Sequence, residues 1–98
     1  MIGTAYLTNE TPHIRIAPFE TTDAVYAVYP PAIYPLGVTT HVLVSGSDKA
    51  GDIGVYPCDE QGELQSWHLL GWAVGVDHRA ALRAAGYELE EVTPRAVA

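Results

Sequence analysis

Val38-Thr39-Thr40-His41-Val42-Leu43-Val44-Ser45 is the stretch whose reading settles how this chain folds. It is dense in β-branched and aliphatic residues, which suit a pleated, half-buried surface. Successive strand side chains point to opposite faces. Val42 and Val44 therefore share one face, and His41, Leu43 and Ser45 share the other.

Toward the N-terminus the chain reads Tyr29-Pro30-Pro31-Ala32-Ile33-Tyr34-Pro35-Leu36-Gly37. Three prolines cannot join a central ladder, so an ordered loop, partly polyproline II, is expected here. Tyr29-Pro30, Tyr34-Pro35 and Tyr56-Pro57 are candidates for cis bonds, with trans as the default. Ala24 to Tyr29 reads as a strand, preceded by a turn at Glu20-Thr21-Thr22-Asp23. His13 to Ala17 alternates with Ile14 and Ile16 inward, and Pro18 limits that strand or sets it at an edge. Tyr6-Leu7-Thr8 is a short strand ended by Asn9 to Pro12.

Toward the C-terminus, Gly46 to Asp52 reads as a flexible loop and Ile53 to Cys58 as a strand interrupted by Pro57. Asp59-Glu60-Gln61-Gly62 is a turn whose glycine can take positive φ. Leu64 to Leu70 is expected to pair back as a hairpin. Asp77 is a good N-cap, and the alanines and Leu82 of His78 to Ala85 favour helix. Gly86 stands where a helix stops. Tyr87 to Val92 then forms a final strand with Tyr87 and Leu89 inward, and Val92 marks a bulge or the strand's end. Residues 94–98 are expected to fray.

These elements predict an α+β fold over residues 1–98 as a single domain. A mostly antiparallel sheet of five or six short strands carries one short C-terminal helix. The alternative is a small β-barrel whose end the helix closes. A helix of about nine residues is marginal alone in water, so Leu82, Ala81 and Ala85 must pack it against the sheet.

The composition narrows the function. The 98 residues carry 12 Asp and Glu against 5 Lys and Arg, a net charge of −7, and 48% are hydrophobic. That share excludes global disorder, and the acidic balance argues against direct nucleic-acid binding. No apolar run approaches a membrane span. The opening Met1-Ile2-Gly3-Thr4 has no basic region followed by an apolar one, so no secretion signal is expected. The single cysteine, Cys58, removes any internal disulfide and suits a reducing compartment.

No catalytic motif emerges. Cys58 needs a depressed pKa to be a nucleophile, yet Asp59 and Glu60 beside it favour the protonated thiol. His13, His41, His68 and His78 lack zinc-ligand spacing. Ser45 or Ser47 with His41 and Asp48 lacks the nucleophile elbow. Gly46 to Asp52 is not a phosphate-binding loop, and Asp59 to Glu63 is not a calcium loop. No cofactor or metal is expected.

The aromatic-proline segment is the strongest candidate for a contact surface. Tyr26, Tyr29, Ile33, Tyr34 and Leu36 combine apolar area with hydroxyl groups, and tyrosine is enriched at binding hot spots. The competing expectation is that these tyrosines close the open end of the sheet. Glu88, Glu90 and Glu91 form one acidic group and Asp59, Glu60 and Glu63 another. Either steers a basic partner or is a solvated face. Trp67 and Trp72 are expected to pack in the core or at its rim. Exposed strand edges leave a dimer open.

From His41 onward the chain resembles small proteins of unknown function encoded by phages of actinobacteria. The resemblance rests on Val42-Leu43-Val44, on Tyr56-Pro57-Cys58-Asp59-Glu60-x-Gly62-Glu63, on Trp67, and on Asp77-His78-x-x-Ala81-Leu82-x-x-Ala85-Gly86-Tyr87. The opening Met1 to Leu7 is also similar. It implies a phage accessory protein in the cytoplasm of a bacterial host, and it brings no known activity or catalytic residue. The function expected is binding and modulation of a host protein without catalysis. The alternatives are a virion or assembly component, or a counter-defence protein that binds a small nucleotide ligand.

Overall fold

In the computed structural model, which describes residues 2–9, 23–47, 51–75 and 77–90, the Val38–Ser45 stretch is the middle of a longer strand. The elements in chain order are β1 (Gly3–Asn9), β2 (Ala24–Tyr34), β3 (Gly37–Ser47), β4 (Asp52–Cys58), β5 (Gly71–Val74), α1 (His78–Ala84) and β6 (Tyr87–Glu90). Among the described residues the strands form one six-stranded sheet in the order β5-β4-β3-β2-β1-β6. All neighbours pair antiparallel except β1 and β6, which are parallel. The sheet curls into a half-barrel and carries one short helix, so the expected α+β architecture holds. The predicted strand His13–Ala17, the turn residues Glu20–Thr22, the loop residues Asp48–Ala50, and Glu91, Val92 and the 94–98 tail lie outside the described residues.

Register explains the first face. Ala24 pairs with Val44, Val44 with Val55 and Val55 with Gly71, while Leu7 pairs with Tyr26 and Tyr26 with Val42. These rows form one buried cluster with Ala81 and Leu82 of α1. The helix begins as expected. The Asp77 carboxylate accepts from the Arg79 and Ala80 amides at 3.0 and 3.3 Å, which satisfies two donors of the first turn. It ends at Gly86, whose φ of +99° suits a residue without Cβ. Gly71 lets the helix close on the sheet, since a Cβ there would stand 2.5 Å from the Ala85 nitrogen.

The second face is closed differently. Val25, Leu43 and Cys58 are buried there, with Leu64 packed against them from the segment after β4. That segment is not the hairpin strand expected over Leu64–Leu70. It makes only the isolated Cys58–Leu64 bridge, and the strand that pairs back on Asp52–Val55 is β5. Pro57 supplies the reason. Its carbonyl accepts from the Gln65 amide at 2.9 Å, so its nitrogen faces the same side and has no hydrogen to return. The ladder stops there and resumes with Leu70 N–H on the Val55 carbonyl at 2.8 Å.

The proline segment also departs from expectation. It is not a loop: β2 runs on through Pro30 and Pro31 to Tyr34, with a cis Tyr29–Pro30 bond. The prolines fall where no ladder needs their donors. Pairing to β1 ends at Thr4–Tyr29, and pairing to β3 is interrupted between Ala27 and Ala32. Beyond the interruption Ala32 pairs with Thr39, Ile33 with Val38 and Tyr34 with Gly37. Pro35 and Leu36 make the turn, proline presetting the backbone at its first position.

Candidate functional site

The β2–β3 hairpin past Pro31 pairs with neither β1 nor β4. It is a two-stranded arm extending from the sheet. Its base is tied on two sides. The Tyr87 hydroxyl of β6 donates to the Pro30 carbonyl at 2.7 Å, meeting an acceptor that the interrupted ladder leaves open. On the other side the buried Thr39 hydroxyl donates to the Cys58 carbonyl at 2.7 Å. The arm is thereby held in place at its root.

Ala32 and Thr39 are buried at its root, and beyond them apolar side chains stand in solvent. Ile33 is 78% exposed and Leu36 79%, and Tyr29, just before the arm, is 72% exposed. Ile33 and Val38 are direct cross-strand partners, so their side chains lie side by side. Val38 was not among the sequence-predicted contact residues, and its cross-strand position identifies it. Tyr34, the next residue and so on the opposite face, is half-buried.

Tyr26 does not belong to this surface. It is 5% exposed and its hydroxyl meets His78 Nδ1 at 2.8 Å, so it joins the helix to the sheet. Inward facing follows from its register opposite Val42. The acidic group divides as well. Glu88 is gripped by Arg83 at 3.1 and 3.0 Å and by Arg79 at 3.4 Å. The Arg83 hydrogen bonds hold the Glu88 carboxyl below the usual range, and the same contact raises the Arg83 guanidinium. Glu90 is exposed at the end of β6, and Glu91 lies outside the described residues. Asp59, in the second acidic group, accepts from the Gln61 and Glu63 amides at 2.9 Å each and thereby builds its own turn. β3, β2 and β1 separate that turn's strand from β6 in the sheet.

The nucleophile candidates fare as their surroundings dictate. Burial, helped by Asp59, pushes the Cys58 thiol up to about 12, which keeps it neutral. The Ser45 hydroxyl donates to Asp23 at 2.7 Å. His41 is four residues from Ser45 along β3, about 13 Å at strand rise, beyond hydrogen-bond reach. Asp48 lies outside the described residues. Among the described residues no group of three His, Cys, Asp or Glu side chains could hold a metal ion. A polar cleft of about 400 Å³ between the arm and the 59–65 turn is lined by Val38, Thr40, His41, Glu60 and Gln65. It offers hydrogen-bonding groups and no activated nucleophile.

A second exposed apolar region is one that sequence reasoning assigned to packing. Trp67 is 77% exposed and Trp72 55%, with Leu69 and Val74 also in solvent. The Trp67 ring meets Tyr56 edge-on at 5.6 Å. No helix among the described residues is long and apolar enough to cross a membrane. No family model matches the chain, and neither a curated protein nor a solved structure matches it.

Proposed function

We propose that this chain is a non-enzymatic binding protein that engages a host bacterial protein through the β2–β3 arm, as a phage accessory factor in the host cytoplasm. One observation carries the reading. Ile33, Leu36 and Val38 stand in solvent on an arm whose root is fixed by Tyr87 and Thr39, and Tyr29 is exposed on β2 just before it. An apolar patch on a held scaffold loses little conformational freedom on docking, and contiguous exposed apolar patches mark interaction sites. The host and phage context comes from the sequence resemblance.

The test is a tagged pull-down from actinobacterial lysate at low and high salt. The retained protein is then purified and its affinity measured. Apolar anchoring by the arm predicts retention at high salt, because screening weakens charge contacts and leaves apolar ones. Ile33→Ala with Leu36→Ala must then weaken binding about tenfold or more. Unchanged affinity for that double variant rejects the arm as the contact.

A further inference from the structure

The exposed tryptophan region contains a built hollow distinct from the arm. It measures about 260 Å³ and is lined by Asp52, Ile53, Gly54, Tyr56, Leu69 and Trp72. Register places its parts. Gly54 pairs with Trp72 and Asp52 with Val74, so Asp52, Tyr56 and Trp72 all stand on the second face of the sheet. Tyr56 and Leu69 fill the place over Gly54, where a Cβ would stand 2.8 Å from the Tyr56 hydroxyl and 2.9 Å from Leu69 Cδ1, and the hollow is the space left beside them next to Trp72 and Asp52. Asp52 is exposed at one rim, and no lysine or arginine among the described residues lines the hollow. The described arginines Arg79 and Arg83 are held by Glu88.

We infer that this hollow receives a basic side chain of the protein partner, an arginine guanidinium set against Trp72 and Tyr56 and paired with Asp52. Aromatic faces attract cations, tryptophan most strongly. A planar guanidinium stacks on such rings and pairs with a carboxylate in a way an ammonium does not. The chain's net charge of −7 draws such a group in. A neutral sugar would also stack on tryptophan, but the one charged group among the described lining residues is a carboxylate, which favours a cation. The inference rests on the protein-binding reading only for the source of the arginine. The hollow itself is tested without any partner.

The experiment titrates the ¹⁵N-labelled full chain with N-acetyl-arginine amide and follows the Trp72 indole N–H, assigned with Trp72→Phe. A saturable shift in the millimolar range is expected. Asp52→Asn must weaken it about threefold to fivefold at low salt, as for one solvent-exposed ion pair. Trp72→Ala must abolish the response at the Tyr56 and Leu69 amides. Ile33→Ser, on the arm, must leave the titration unchanged, so failure of the arm reading and failure of this one are told apart. An equal response to N-acetyl-leucine amide, a response to N-acetylglucosamine in place of arginine, indifference to Asp52→Asn, or no response overturns the proposal. Tighter arginine binding in Lys49→Ala also overturns it, since the chain's own lysine would then be the occupant.

Discussion

The two faces of this sheet are closed by different means, and their exposed surfaces differ accordingly. On the first face α1 lies across valine rows, and Ala81 and Leu82 seal a continuous core with Val42, Val44 and Val55. On the second face an irregular segment covers only Val25, Leu43 and Cys58 with Leu64. The remainder of that face carries Tyr56, Trp72 and Val74. A helix buries its whole apolar stripe at once, whereas a segment stopped by Pro57 reaches only part of a sheet. Stability resides chiefly on the first face, and the proposed recognition uses what the second face and the arm leave open.

The largest expected effect tests the first face. Leu82→Ala should cost about 2–5 kcal/mol, the range for a large-to-small change in a core, read as a lower urea midpoint. A cost below about 1 kcal/mol would show that α1 is not what seals that face. Leu64→Ala on the second face should cost less, about 1 kcal/mol, because the residue is only partly buried. It should also speed alkylation of Cys58, which is buried and neutral in the intact fold. Equal labelling rates in the two proteins would mean that Leu64 does not guard the thiol. Trp72→Ala should leave stability within about 0.5 kcal/mol, as for a surface side chain. A larger loss would make Trp72 part of the core.

The smallest effect concerns Glu88. Its folded pKa is depressed, chiefly by the Arg83 hydrogen bonds, so its contribution is present above the unfolded carboxylate pKa. That contribution is lost as pH falls through the folded value. Glu88→Gln should therefore melt slightly lower than the parent at pH 7, with the gap closing in acid. A gap of constant size from pH 7 to pH 2 would assign the difference to packing.

Much of this architecture can be read from local chemistry. The alternation of Val42, Leu43 and Val44, the Asp77 cap and the Gly86 stop act within a few residues, and the fold places all of them as expected. The misreadings arise where a distant contact reverses a local rule. In Gly71-Trp72-Ala73-Val74 the large residues suggest the core, yet Gly71 and Ala73 face inward because α1 presses close on that strand. Trp72 is therefore exposed, and no pattern in the sequence announces it. The prolines of β2 read as a loop because the break in both ladders around them is a property of register, not of composition. Tyr26 resembled Tyr29 and Tyr34 as a contact residue, and only its pairing with Val42 and His78 turns it inward.

On the proposed function, the arm contributes recognition and not stability. The direct test measures the purified partner's affinity for an Ile33→Ser, Leu36→Ser double variant alongside its melting temperature. About tenfold or greater weakening is expected, with the melting temperature unchanged. Full affinity in the variant, or a melting temperature that falls with the affinity, would contradict it.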